Sequence, residues 1–216
     1  MKLSAFDKLS SSFVPKGSRV LDLGCANGKI GHFMEKYLDC RVTGVEMNPS
    51  LAQKAARRLT KIIIGDLENP QLQAKILEQG KFDVIFASAI LEHLKHPQIA
   101  LKQITKSLKK DGIIIISLPN TAHWSIRLNL LFGNFKYTKS GILDKTHLKF
   151  FTVRTALNFL KKDCSLKIEA IDYDFPKVPI LSKVIKFFLT SKGQQKIFKL
   201  FPNLFAYQIL IVAKPK

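Results

Sequence analysis

Cysteine is scarce. Cys25, Cys40 and Cys164 are the only ones in 216 residues, widely spaced and without a C-x-x-C pair. That excludes a dense disulfide framework and argues against a structural zinc site, so all three read as reduced thiols. Long apolar runs are missing too. None approaches the roughly 20 residues that a membrane-spanning helix needs. Met1 to Phe13 alternates polar and apolar positions and lacks the apolar centre of a signal peptide. The expected location is therefore cytoplasmic. Acids are few: 16 Asp and Glu face 35 Lys and Arg, a formal net charge of +19. Such an excess raises nucleic acid or an anionic membrane as partners. Arginine is rare as well, with 6 Arg against 29 Lys spread along the chain. Base readers and bidentate phosphate clamps favour Arg. Nucleic acid is thus not the expected partner, and most of the charge is assigned to a solvated surface.

What is present is a hydrophobic fraction of 46%, enough for one sizeable core. Apolar β-branched runs alternate with helical patterns. Strands are read at 19–23, 41–45, 61–64, 82–87 and 113–118. Helices are read at 29–38, 49–59, 69–79 and 97–108, with a turn at Asp111-Gly112. Strands joined by helices imply right-handed βαβ units and a parallel sheet. Their near-continuous apolar character fits a sheet covered on both faces. Beyond Leu118 the pattern loosens. Thr152 can cap a helix over 153–162, and 166–173 and 204–212 read as two last strands. No internal repeat or low-complexity linker divides the chain, so 1–216 is read as one domain. Within it, 118–150 is a lid or substrate region and 176–203 a basic amphipathic insertion.

The most informative stretch is VLDLGCANGKI, Val20 to Ile30. A strand ends at Asp22-Leu23-Gly24, a loop of small residues follows, and Gly28 opens a helix. The placement resembles a dinucleotide fold, with the ligand at the carboxyl ends of the strands. The spacing does not fit the G-x-G-x-x-G of an NAD site. Ala26 takes a small-residue slot, and Asp22 stands just before the loop. That carboxylate would repel a pyrophosphate but attract a sulfonium and an α-amino group. The loop therefore favours S-adenosylmethionine over NAD. Glu46, at the end of the second strand, can accept both ribose hydroxyls. Asp66, after the third, can accept from an adenine amino group, with Met47 and Leu67 flanking the ring. Ala87 and Ser88 end the fourth strand with small side chains that would let cofactor and acceptor approach.

At this point the sequence resembles the class I S-adenosylmethionine-dependent methyltransferases, in particular small-molecule groups that include the ubiquinone-biosynthesis O-methyltransferases. VLDLGCANG, VTGVEMN and IIIGDLE resemble their first three motifs. FDVIFASAILEHLKHP and LKKDGIIIISLPN resemble the fourth and fifth strands with their flanks. The resemblance spans residues 19 to 120, and the ending LFAYQILIVAKPK resembles the family's tail. It implies an α/β, Rossmann-like three-layer sandwich. The sheet would be seven-stranded, mostly parallel, in order 3-2-1-4-5-7-6 with an antiparallel last strand. It also implies an S-adenosylmethionine-dependent methyltransferase acting on a small-molecule acceptor, expected on oxygen. Some quinone-pathway relatives hold a divalent metal with acids and a histidine near LEHL. Ala89 stands here where a further acid would be, so no metal is expected.

The acceptor side is read from fewer residues. His147, in GILDKTHLKFFT, and His93 are the candidate catalytic groups, since histidine titrates near neutrality. His123, Trp124, Arg127 and Tyr137 are the candidate substrate contacts. In ILSKVIKFFL, 180–189, apolar residues share one helical face and Lys183 and Lys186 the other. This segment can serve as a lid, or within 180–201 as a contact with an anionic membrane. Two alternatives keep the fold. One is an RNA or protein methyltransferase, although no Arg-rich groove or added module is visible. The other is a cofactor-binding domain without catalysis.

Overall fold

The structure is a computed structural model and describes residues 4–175 and 198–216. Seven strands form one sheet in the order β3-β2-β1-β4-β5-β7-β6. They are β1 Arg19–Leu23, β2 Arg41–Glu46, β3 Lys61–Ile64, β4 Phe82–Ser88, β5 Leu108–Pro119, β6 Leu166–Asp174 and β7 Gln208–Pro215. The first five run parallel. β7 lies antiparallel to both β5 and β6. This is the architecture that the resemblance implies.

Alternation along the strands divides the interior into two cores. Leu21, Ile85 and Ile114 point into one, and Val20, Val84 and Ile115 into the other. Helices α1 Ala5–Ser11, α2 Lys29–Leu38 and α3 Pro49–Ala56 cover the second face, through residues such as Met34 and Ala55. Helices α4 Pro70–Leu77, α5 Pro97–Ile104 and α7 Val153–Asn158 cover the first, through Ile76, Leu101 and Ala156. Between them in sequence, α6 spans Trp124–Leu131, and α8 is the short turn Pro202–Phe205. Local chemistry fixes the helix starts. Asn48 and Asn69 accept backbone N–H bonds at the heads of α3 and α4, each followed by proline. Thr152 and Thr155 form a reciprocal cap on α7.

Several sequence readings need correction. Asp111-Gly112 does not separate a helix from a strand but lies within β5, which starts at Leu108. Leu108 pairs with Phe82 and Ile113 with Val84, so 109–112 form an irregularity in the register. A β-carbon at Gly112 would lie 2.6 Å from the Leu108 side chain and 3.0 Å from the Asp83 carbonyl, so glycine leaves room for the chain at this irregularity. The helix read at 97–108 stops at Ile104 and tightens into a single 3-10 turn, Thr105–Ser107. The last strand begins at Gln208, because Pro202 starts a helical turn over residues assigned to the strand. Helix α1 was not read at all. The amphipathic stretch 180–189 lies outside the described residues, as does most of 176–203.

Buried Asn120 joins the end of β5 to the start of β7. Its Nδ2 donates to the carbonyls of Ala206 at 2.7 Å and Asn203 at 3.1 Å, and its Oδ1 accepts from Ala122 N at 3.0 Å. That connection brings Tyr207 beside the carboxyl ends of β1 and β4.

Candidate cofactor and acceptor site

The loop after β1 folds back over β2. Gly24 and Cys25 both donate N–H to the Val45 carbonyl, at 2.9 and 3.0 Å. Gly24 is left-handed, with φ of 68°, and a β-carbon there would sit 2.6 Å from Ile90. Glycine is required on both counts. Ala26 follows in the same left-handed region. Its N–H donates to Glu46 Oε2 at 2.9 Å, while Glu46 Oε1 accepts from Asn48 N at 2.8 Å. The carboxylate that ends β2 is thus fixed by two backbone donors and pinned to the glycine loop.

A cleft of about 620 Å³ opens over this loop, a size typical of small-molecule sites. Of the residues singled out in the sequence, Asp22, Gly24, Ala26, Ser88 and Ala89 line it. Asp7 from α1, Asp174 and Tyr207, which the sequence reading does not name, line it too. Asp22 is buried and accepts no hydrogen bond from any described residue. Burial, with the nearby Glu46 charge, pushes its carboxyl up to about 7. Asp174 is also raised by burial. In a chain with a large excess of lysine, the cleft gathers three aspartates and one lysine, Lys29. Such a field suits a cationic ligand. Cys25 also lines the cleft, but burial drives its thiol upward and keeps it protonated.

Ala87 is fully buried inside β4 and does not face the cleft. Gly28 heads α2 in a left-handed conformation and packs against Ala55. At the next strand end, Asp66 is exposed and its Oδ1 accepts from Glu68 N at 2.9 Å. Leu67 beside it is buried, whereas Met47 is 66% exposed.

The candidate catalytic histidines form a separate cluster. The Glu92 carbonyl accepts from Leu148 N at 2.8 Å and Lys149 N at 3.0 Å. This docks 144–149 onto the turn after β4. The Glu92 side chain is buried, and burial pushes it up to about 7. His147 Nδ1 donates to the Ile142 carbonyl at 3.1 Å, leaving Nε2 to face Glu92 Oε1 at 4.0 Å. His93 Nδ1 lies 3.2 Å from the Thr146 carbonyl. One donor atom from each of Glu92, His93 and His147 falls within 4.8 Å of the others. The expectation of no metal rested on Ala89. Here His147 supplies a third donor from far downstream, and Glu92 Oε2 is buried without a partner among the described residues. By donor type this trio fits a divalent ion.

The candidate substrate residues do not converge on the cleft. His123 is buried as the cap of α6 and accepts from Ser125 N, and burial holds its imidazole down at about 4. Its ring packs edge-on against Tyr207, with centroids 5.6 Å apart. Arg127 Nε donates to the Ala122 carbonyl at 2.7 Å. Tyr137 is 59% exposed. A second pocket of about 480 Å³ lies under α6, lined by Ser125, Asn129, Asn134, Lys136 and Thr138. Tyr207 lines both this pocket and the cleft.

A family model described as a methyltransferase domain matches residues 3–163. The chain belongs to this methyltransferase family. It is 39% identical over 114 residues to a ribosomal protein L11 methyltransferase of Thermosipho africanus, covering 51% of this chain and 42% of that protein. It is 30% identical over 116 residues to a ubiquinone biosynthesis O-methyltransferase of Xanthomonas axonopodis, covering 52% and 47%. The chain thus spans less than half the length of these relatives. Among solved structures, a SAM-dependent methyltransferase of Archaeoglobus fulgidus superposes with TM-score 0.60 at 20% identity, over 96% of this chain and 94% of that one. The [4+2]-cyclase SpnF superposes with TM-score 0.62 at 14% identity, over 97% and 80%. These likenesses show the fold, which hosts more than one reaction. Family and fold imply S-adenosylmethionine as the cofactor. The buried carboxylate of Asp22, which accepts no hydrogen bond among the described residues, and the cleft it shares with Gly24 fit that ligand. Among the described residues, no helix is long and apolar enough to cross a membrane.

Proposed function

We propose that this chain transfers a methyl group from S-adenosylmethionine to a small-molecule acceptor, on oxygen. The observation that carries this reading is Asp22, a buried carboxylate that accepts no hydrogen bond among the described residues, facing the cleft beside the glycine loop. When bound, the cofactor supplies an electrophilic methyl group on a cationic sulfur. Asp22 answers positive charge on the methionine part. Glu46, oriented by Ala26 and Asn48, keeps free lone pairs for ribose hydroxyls. Asp66, Leu67 and Met47 frame the adenine end. Direct displacement needs no covalent nucleophile, so the protein's task is position, charge and exclusion of water.

The acceptor enters on the Tyr207 side, where Ser88 and Ala89 leave room. In this reading Glu92, His93 and His147 hold the lid segment onto the β4 turn and do not take a proton from the acceptor. His123 backs Tyr207, and Arg127 and Tyr137 belong to the lid's outer surface. Relatives bearing both O- and N-methyltransferase names each match about half of the chain. A second reading, methylation of a protein, is favoured by the relative named for ribosomal protein L11. Incubation with methyl-labelled cofactor and fractionated cell extract separates the two. Label in the small-molecule or lipid fraction supports the first reading. Label confined to protein or RNA overturns it.

A further inference from the structure

The surface over the second pocket is unusual for a water-facing one. Every residue from Arg127 to Gly141 is exposed. Leu131 and Phe132 are 77% and 72% exposed, and Leu128, Leu130, Phe135 and Tyr137 are exposed with them. Helix α6 buries none of its residues. A helix of a water-soluble domain normally turns one apolar stripe inward, and contiguous exposed apolar patches mark interaction sites. The apolar side chains are interleaved with Arg127, Lys136 and Lys139, and the stretch 127–141 contains no acid.

We propose that α6 and the following loop dock this protein onto an anionic lipid bilayer. Leu131, Phe132 and Phe135 would enter the acyl boundary while Lys136 and Lys139 meet the headgroups. Apolar burial and cationic attraction act together there, and each alone gives weak binding. An acid-free basic rim around an apolar tip complements a negatively charged lipid surface better than a mixed-charge protein face. The geometry also gives docking a use, and here the inference rests on the proposed methyl transfer. Asn134 and Lys136 line the pocket below the patch, and Tyr207 lines both that pocket and the cofactor cleft. A docked molecule would open the pocket at headgroup level, where an amphiphilic acceptor with a polar head can enter.

The test is flotation of the full chain with vesicles of phosphatidylcholine alone or mixed with phosphatidylglycerol. It is run at about 0.15 M salt and repeated at high salt, where the Debye length is short. The wild type is expected to float with the mixed vesicles and not with the neutral ones, and to dissociate as salt rises. Leu131→Ser/Phe132→Ser should weaken binding by about tenfold or more while S-adenosylhomocysteine still raises its melting temperature as in the wild type. Wild-type binding by that variant would assign membrane contact to charge alone and overturn the proposal. So would failure of the wild type to float, or a wild-type dimer that the variant turns into a monomer. Vesicle binding without methyl transfer to any lipid would leave the docking surface intact and remove only the acceptor reading.

Discussion

A β-carbon placed on Gly141 falls 2.5 Å from the hydroxyl of Tyr207. The glycine that opens GILDKTHL and the residue that precedes β7 are therefore in contact across the fold, and the φ of Gly141 is 90°. Tyr207 lines both the cofactor cleft and the pocket under α6, so Gly141 sets the position of the wall between them. Gly141→Ala should push the tyrosine aside and strain the backbone. We expect the rate of methyl transfer to fall about tenfold, equivalent to about 1.4 kcal/mol, with affinity for S-adenosylhomocysteine little changed. Kinetics and calorimetry on one variant check both halves. Unchanged turnover would mean that Tyr207 does not border the acceptor.

The Glu46–Ala26 bond makes the glycine loop and the end of β2 a single unit. Glu46→Ala removes the anchor of the loop and, with it, the proposed acceptor for the ribose hydroxyls. Cofactor affinity should drop by about 1–3 kcal/mol, the usual result of deleting one side of a charged hydrogen bond. Isothermal titration with S-adenosylhomocysteine measures it, and wild-type affinity would remove Glu46 from the site.

Asp22 predicts a pH dependence. Its folded carboxyl titrates near 7, well above its ordinary value of 3.8. The folded, unliganded chain therefore holds a proton that the unfolded chain has released. Stability of the free protein should decline as pH rises from about 4 to about 7. A cationic ligand favours the ionised form, so cofactor affinity should rise as pH passes through about 7. Asp22→Asn should flatten both trends and weaken binding. Melting curves and titrations from pH 5 to 8 read these slopes, and a pH-independent wild type would contradict the assignment.

Asn120→Ala tests the link that carries Tyr207 to the site. The variant strips the donor from the Ala206 and Asn203 carbonyls and the acceptor from Ala122 N. A loss of about 1–3 kcal/mol in urea unfolding is expected, and a loss below a few tenths would show the link to be unimportant.

How much of this was legible in sequence follows from the range of the interactions. The loop after β1 is local. Asp22, Gly24 and Ala26 sit within a few residues of one another, and strand, loop and helix follow from spacing alone. Glu46 is expected beside this loop because strand ends in a parallel sheet line up, and its bond to Ala26 N places it there. Tyr207 and Asp174 were missed because only the antiparallel return of β7 beside β5 brings them to the cleft. Asp7 was missed for a different reason. Ser4 and Asp7 form a capping box, a local signal that marks the helix start but not the cleft it faces. His147 was singled out for its chemistry. Its surroundings, a backbone carbonyl on one nitrogen and buried Glu92 opposite the other, depend on a loop with no periodic pattern to reveal them. Asp111-Gly112 carries an ordinary turn signal, and it falls at the register shift inside β5 rather than between two elements.

The most direct test of the central claim is thermal unfolding of the wild type and Asp22→Asn with S-adenosylmethionine, S-adenosylhomocysteine, NAD or buffer. A ligand at about 100 times its Kd adds about 2.7 kcal/mol to the folded state. The account predicts a clear rise in melting temperature with both adenosyl ligands, none with NAD, and a much smaller rise in Asp22→Asn. No rise in the wild type, or equal rises in both proteins, would contradict it.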